Sequence, residues 1–151
     1  MRPPYRPHMS HSIPGLRSPF DEVGGIVYFG RMIDKIRLHQ AGKLPAEYVP
    51  NLGKGFDARC VHFLHISYQA LVDRVAEISA SDEELLEWAC KNGERPDDED
   101  IEVWNGFMTK RGWNDSGAET LLKRKAESGF PGREDIRTIF QYIDADEGRL
   151  S

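Results

Sequence analysis

The stretch Asp97 to Trp113, reading DDEDIEVWNGFMTKRGW, constrains the fold most, because it joins an acidic helix start, an apolar face and a basic exit. At about 100° per residue, Ile101, Val103, Trp104, Phe107 and Met108 fall on one helical arc. Arg111 falls inside the same arc, four residues after Phe107 and seven after Trp104. A guanidinium on a core-facing stripe needs a carboxylate or another acceptor. This stretch therefore predicts a core helix, and its arginine asks for a partner.

The rest of the chain repeats the helical signal. Ile26, Phe29, Met32, Ile33 and Ile36 recur at helical spacing after Ser18-Pro19 and Glu22, which resemble a helix entry, and Gly42 supplies the stop. The run Gly24 to Phe29 reads equally as a short strand, since short apolar runs are not assigned by periodicity alone. Arg31, Asp34, Lys35 and Arg37 read as a solvated face paired along the helix. Leu44 to Phe56 is a loop, and further helices follow over Ala58 to Ile66, Ser67 to Ile78, Leu85 to Cys90 and Ala118 to Ser128, with a last one from Arg133 or Glu134. Ser81 and Glu84 form a capping box. Leu121, Leu122 and Ala126 are expected to face inward.

These elements predict an all-α, compact single-domain bundle of six or seven helices over residues 18–151, with an extended proline-rich arm over residues 1–17. The ridges Ile26 to Ile36 and Ile101 to Met108 are expected at the centre of its core. A formal net charge of −5 argues against a nucleic-acid partner, and no apolar run reaches the ~20 residues of a membrane span. The prolines of the first fifteen residues break any secretory apolar region, so a cytoplasmic location is expected. Cys60 and Cys90 fit no zinc spacing and read as buried thiols.

Polar candidates are few. His8 and His11 in the arm, and His62 and His65 near Cys60, lack a third ligand at metal spacing and read as ordinary histidines. Arg59 and His62 are the sequence neighbours that would lower the pKa of a reactive Cys60 thiol. The loop end Leu52-Gly53-Lys54-Gly55-Phe56-Asp57 lacks the spacing of a nucleotide-binding loop, leaving a weak anion nest with Asp57 as a helix cap.

The motifs Leu16-Arg17-Ser18-Pro19, Gly24-Gly25-Ile26, RMIDKIR at Arg31 to Arg37, LGKGFD at Leu52 to Asp57, WNGFMTKRGW at Trp104 to Trp113 and IDADEGR at Ile143 to Arg149 come in order over nearly the whole chain. Together they resemble the bacterial family called domain of unknown function 5069. That resemblance implies an independently folding domain and carries no catalytic set, so no cofactor and no metal are expected from it.

Two functional classes follow. The first is a pocket for a small anionic ligand, built from Lys54, Asp57, Arg59, Arg111 and Trp113, in which arginine offers a planar fork and indole a flat wall. The second is a helical interaction or homo-oligomerisation module without catalysis, with tryptophans and tyrosines at the interface and the arm exchanging between subunits. A structural alternative gives Arg111 to Asp144, Asp146 or Glu147, three acids at the end of the last helix. Such a buried clamp would cost about 3 to 5 kcal/mol to break.

Overall fold

A computed structural model describes residues 12–150. Their contacts cluster into two compact units, one of Gly15–Asn105 and one containing the chain from Gly106 onward. Among the described residues there are seven α-helices, one 3-10 helix and one two-stranded sheet, so the chain is predominantly helical. The arm expected over residues 1–17 lies outside the described residues as far as residue 11, and with it His8 and His11.

The unit of Gly15–Asn105 starts with a turn and a hairpin where a helix entry is expected. Asp21 N–H donates to the Ser18 carbonyl and Phe20 N–H to Ser18 Oγ, closing the turn at Ser18-Pro19. Glu22–Val23 (β1) then pairs antiparallel with Ile26–Val27 (β2), Val23 opposite Ile26. Gly24 and Gly25 make the connection with φ of 57° and 81°. A two-residue turn positive at both positions matches the twist of its strands and favours glycine. Of the two readings of Gly24 to Phe29, the short strand is the one observed.

Helix α1 (Phe29–Gln40) follows directly, and the run from Phe29 to Ile36 is buried throughout. Its end is a Schellman turn: Lys43 N–H reaches back to the Leu38 carbonyl, and Gly42 takes φ 70°. The loop from Leu44 contains a 3-10 helix, Ala46–Asn51. Then come α2 (Phe56–Leu64), α3 (Tyr68–Glu77), opened by Ser67 accepting from Ala70 N–H, and α4 (Asp82–Asn92), opened by the Ser81/Glu84 capping box. α1 packs on α3 and β1, and α3 packs on both α2 and α4. Phe29, Met32, Ile33, Leu64, Leu71 and Leu85 are among the fully enclosed side chains of this unit.

Helix α5 (Asp98–Lys110) opens with a reciprocal cap, Asp97 and Asp100 each accepting the other's backbone N–H. Trp104 is buried, stacks on Phe63 at 4.6 Å and donates its indole N–H to the Val27 carbonyl at 3.1 Å. Asn105 accepts from Val27 N–H and donates to the Gly25 carbonyl, so the helix docks on the hairpin through Trp104 and Asn105. That docking rotates the expected arc. Met108 stays buried, but Val103 is 65 % exposed and Phe107 40 %. The hydrophobic pattern placed five residues inside; a polar amide on the hairpin decided which turned inward.

In the unit beginning at Gly106, α6 (Ala118–Glu127) packs on α7 (Ile139–Asp146). Leu121 is buried, whereas Leu122 is 64 % exposed and Ala126 also faces outward, which corrects the expected inward trio. α7 starts later than its apolar spacing predicts, at a Thr138/Gln141 capping box. Ile136 is enclosed, in the non-helical segment before it. This segment is held by Lys125, whose buried ammonium donates to the carbonyls of Arg133 and Ile136. Ser128 and Tyr142 share a short hydroxyl contact.

Candidate functional site

Helix α1 is where charge and burial coincide. Arg31, Asp34 and Lys35 are all less than 10 % exposed, so the solvated face expected from the sequence is instead an interior one. Buried charges require partners from elsewhere in the chain. Arg31 donates to the Arg17 carbonyl at 3.1 Å, and two networks supply the partners of Lys35 and Asp34.

The first is centred on Asp57. Its Oδ1 accepts from the Tyr28 hydroxyl at 2.6 Å and pairs with Lys35 Nζ at 2.8 Å, while Oδ2 accepts from Gly53 N–H at 3.0 Å. Lys35 Nζ also donates to the Tyr28 oxygen at 3.0 Å. Tyr28 sits at φ 75°, an uncommon conformation for a tyrosine, and its ring meets Phe56 edge on at 5.6 Å. Glycine is needed at position 53, where φ is 75° and a Cβ would lie 2.8 Å from the Tyr68 ring. Asp57 is thus not the helix cap that its position suggests; it is a fully enclosed acceptor joining the loop to α1.

This network does not prepare a nucleophile. Burial, followed by the neighbouring Asp57 carboxylate, pushes the Tyr28 hydroxyl well above its ordinary range. The same two causes, in the same order, push the Cys60 thiol up. The sequence neighbours Arg59 and His62, both exposed, do not reverse that, so Cys60 is an inert buried thiol.

The second network surrounds Arg17. Its Nε and Nη2 donate to the two oxygens of Asp34, Nη2 also to the Gly30 carbonyl, and Nη1 to Asp82 at 2.7 Å. The other Asp82 oxygen accepts from Arg37 Nη1 at 2.7 Å, and Arg37 Nη2 donates to the Ala80 carbonyl. Partial burial alone would raise the Asp82 carboxyl, but the hydrogen bonds and charges of Arg17 and Arg37 outweigh it and hold the pKa below its ordinary value. Gly30 allows this: a Cβ there would come within 2.8 Å of the Arg17 guanidinium carbon.

Beside Arg37 and Asp82 lies an open groove of about 740 Å³, formed by the ends of α1 and α3 and the start of α4. Val75 and Ile78 give it an apolar wall, and Arg37, Gln40 and Ser79 a polar one. Arg37 remains 38 % exposed at the side chain while two of its nitrogens hold protein acceptors. Sequence reading singled out neither this groove nor the Asp57 network. The available signal was charge of both signs packed into an otherwise apolar helix, with Arg17 before it and Asp57 and Asp82 after it.

Of the candidates read from the sequence, Lys54 and Arg59 are exposed, and Asp57 is committed to Lys35 and Tyr28. Trp113 is 54 % exposed. Arg111 pairs with Asp115 at 3.4 Å, donates to Ser116 at 3.1 Å and lies over the Phe107 ring at 5.6 Å. Asp144 and Glu147, two of the acids considered for it, are held by Arg149 at 3.1 and 2.6 Å; the third, Asp146, is half-buried.

No helix among the described residues is long and apolar enough to cross a membrane. Fold and site together define a predominantly helical protein whose first long helix carries both a buried ionic core and one wall of a surface groove. It belongs to the family described as Domain of unknown function (DUF5069), whose model matches residues 13–149. No curated protein matches the chain.

Proposed function

We propose that this protein is a binding domain for a small organic acid, taken up in the groove between α1, α3 and α4. The observation that carries the reading is Arg37: a guanidinium fixed in direction by Asp82 and the Ala80 carbonyl, yet still exposed at the mouth of a 740 Å³ groove. A carboxylate head meets the remaining N–H groups of that guanidinium. An aliphatic or aromatic body lies on Val75 and Ile78. The Asp82 charge is already balanced by two arginines, which lessens its repulsion of the ligand. This moves the small anionic ligand away from Lys54, Asp57 and Arg59, because Asp57 is enclosed. The two free buried thiols favour a reducing compartment, the cytoplasm.

The test is a thermal-shift and amide-NMR screen of carboxylic acids against their matched amides. The acids should raise the melting temperature and move the resonances of Gln40 and Ala41 more than the amides do, and Ala41→Trp, which fills the exposed rim, should remove both effects. If no acid shifts the melting temperature or these resonances, the reading is wrong.

A further inference from the structure

The outward face of α5 presents one continuous seam of exposed or half-buried residues. Glu99, Val103, Gly106 and Lys110 are separated by four, three and four residues, the spacing of one seam along a helix, and α5 is a single continuous helix over all four. Val103 is 65 % exposed, the most exposed of the large apolar side chains among the described residues, and Glu99 and Lys110 are exposed as well. The other acids of this helix start have a local use, since Asp97 and Asp100 cap each other. The side chains of Glu99 and Lys110 make no hydrogen bond or ion pair among the described residues.

Gly106 is the telling position. Glycine is the least favourable residue for a helix interior apart from proline. Most helix-interior glycines are explained by a close neighbour, as Gly30 is by Arg17. At Gly106 a Cβ would meet nothing within 4 Å, and its backbone needs no positive φ. Nothing within the described chain uses the gap.

We propose that two copies associate about a twofold axis through the antiparallel pairing of α5. The seam is self-complementary in this direction only: Val103 lies opposite the partner's Gly106, and Glu99 lies opposite the partner's Lys110, with both relations repeated by symmetry. A parallel pairing would set Glu99 against Glu99 and Lys110 against Lys110. The glycine admits the valine at close helix separation, and the two charge pairs fix the register. One helix of thirteen residues makes a small interface, so the association is weak and salt-sensitive.

Sedimentation equilibrium on the full chain, from about 1 μM to about 1 mM, tests it. The wild type should pass from monomer to dimer in this range. Glu99→Lys and Lys110→Glu should each weaken the dimer by tenfold or more, and the double variant should recover most of the loss, because it restores the pairs with reversed sign. Gly106→Leu should abolish the dimer while its circular dichroism stays that of the wild type. A chain that stays monomeric throughout overturns the proposal. So does a dimer that ignores both single charge reversals, or one that the double reversal fails to restore.

Discussion

Lys35 Nζ stands 2.8 Å from Asp57 Oδ1 in an interior where the carboxylate has no exposure, and the Tyr28 hydroxyl touches both. Three distant parts of the chain, the residue after the hairpin, the middle of α1 and the start of α2, are set relative to one another by this one cluster. Removing the carboxylate takes an ion-pair partner at 2.8 Å from a buried ammonium. Asp57→Ala should therefore cost about 3 to 5 kcal/mol in chemical denaturation. The paired replacement Lys35→Met with Asp57→Leu should cost much less than the single variant, because both members of the ion pair are then removed together. A double variant as unstable as Asp57→Ala would mean that shape, not charge, sets the cost.

Asp82 predicts an acid-sensitive contribution. Its folded pKa lies below the ordinary 3.8 because Arg17 and Arg37 bond its charged form. A depressed folded pKa means that the stabilisation is fully present above the unfolded carboxyl's range and is lost as pH falls through the lower folded value. Asp82→Asn should accordingly be less stable than the wild type at neutral pH, and the gap between their denaturation midpoints should close below about pH 4. A gap that stays constant with pH would separate the arginine contacts from the carboxylate's charge.

Trp104 is both packed and hydrogen-bonded. Trp104→Ala should cost about 3 to 5 kcal/mol, since it removes the stack on Phe63 as well as the bond to Val27. Trp104→Phe keeps much of the packing and leaves the Val27 carbonyl without its indole donor, for about 1 to 3 kcal/mol. At the preceding residue, the exposed Val103→Ala should change the stability of the isolated chain by less than about 0.5 kcal/mol. Urea titrations of the three variants at low protein concentration check the order.

Arg111 carries a local ion pair and a ring contact in place of a long-range clamp. Its side chain keeps 17 % of its exposure, and Asp115, four residues on, is also bound by the N–H groups of Gly112 and Gly117. Loss of the guanidinium leaves that carboxylate with backbone donors, so Arg111→Ala should cost about 1 kcal/mol. A loss of 3 kcal/mol or more, with soluble protein disappearing, would restore the clamp reading.

The legible parts were those decided within a few residues. The Ser81/Glu84 capping box, the stop at Gly42, the Ser67 start and the apolar ridge of α1 all stand as the sequence presents them, because caps and periodicity act over one or two turns. The helix entry at Ser18 did not, since Gly24-Gly25 turns the chain into a hairpin before α1 can start. The inward direction of Val103, Phe107 and Leu122 did not either, because a helix face is chosen by what it docks on, and α5 docks through Trp104 and Asn105.

The sequence by itself determined a predominantly helical protein, the positions of most helices, the apolar content of α1 and membership in its family. Tertiary structure alone decided where the charges of α1 go. Arg17 meets Asp34 across 17 residues, Lys35 meets Asp57 across 22, and Asp82 meets Arg17 and Arg37 across 65 and 45. Opposite charges at such separations carry no periodic signature; only the folded chain, which removes water and brings acceptors within reach of each buried charge, selects the pairs.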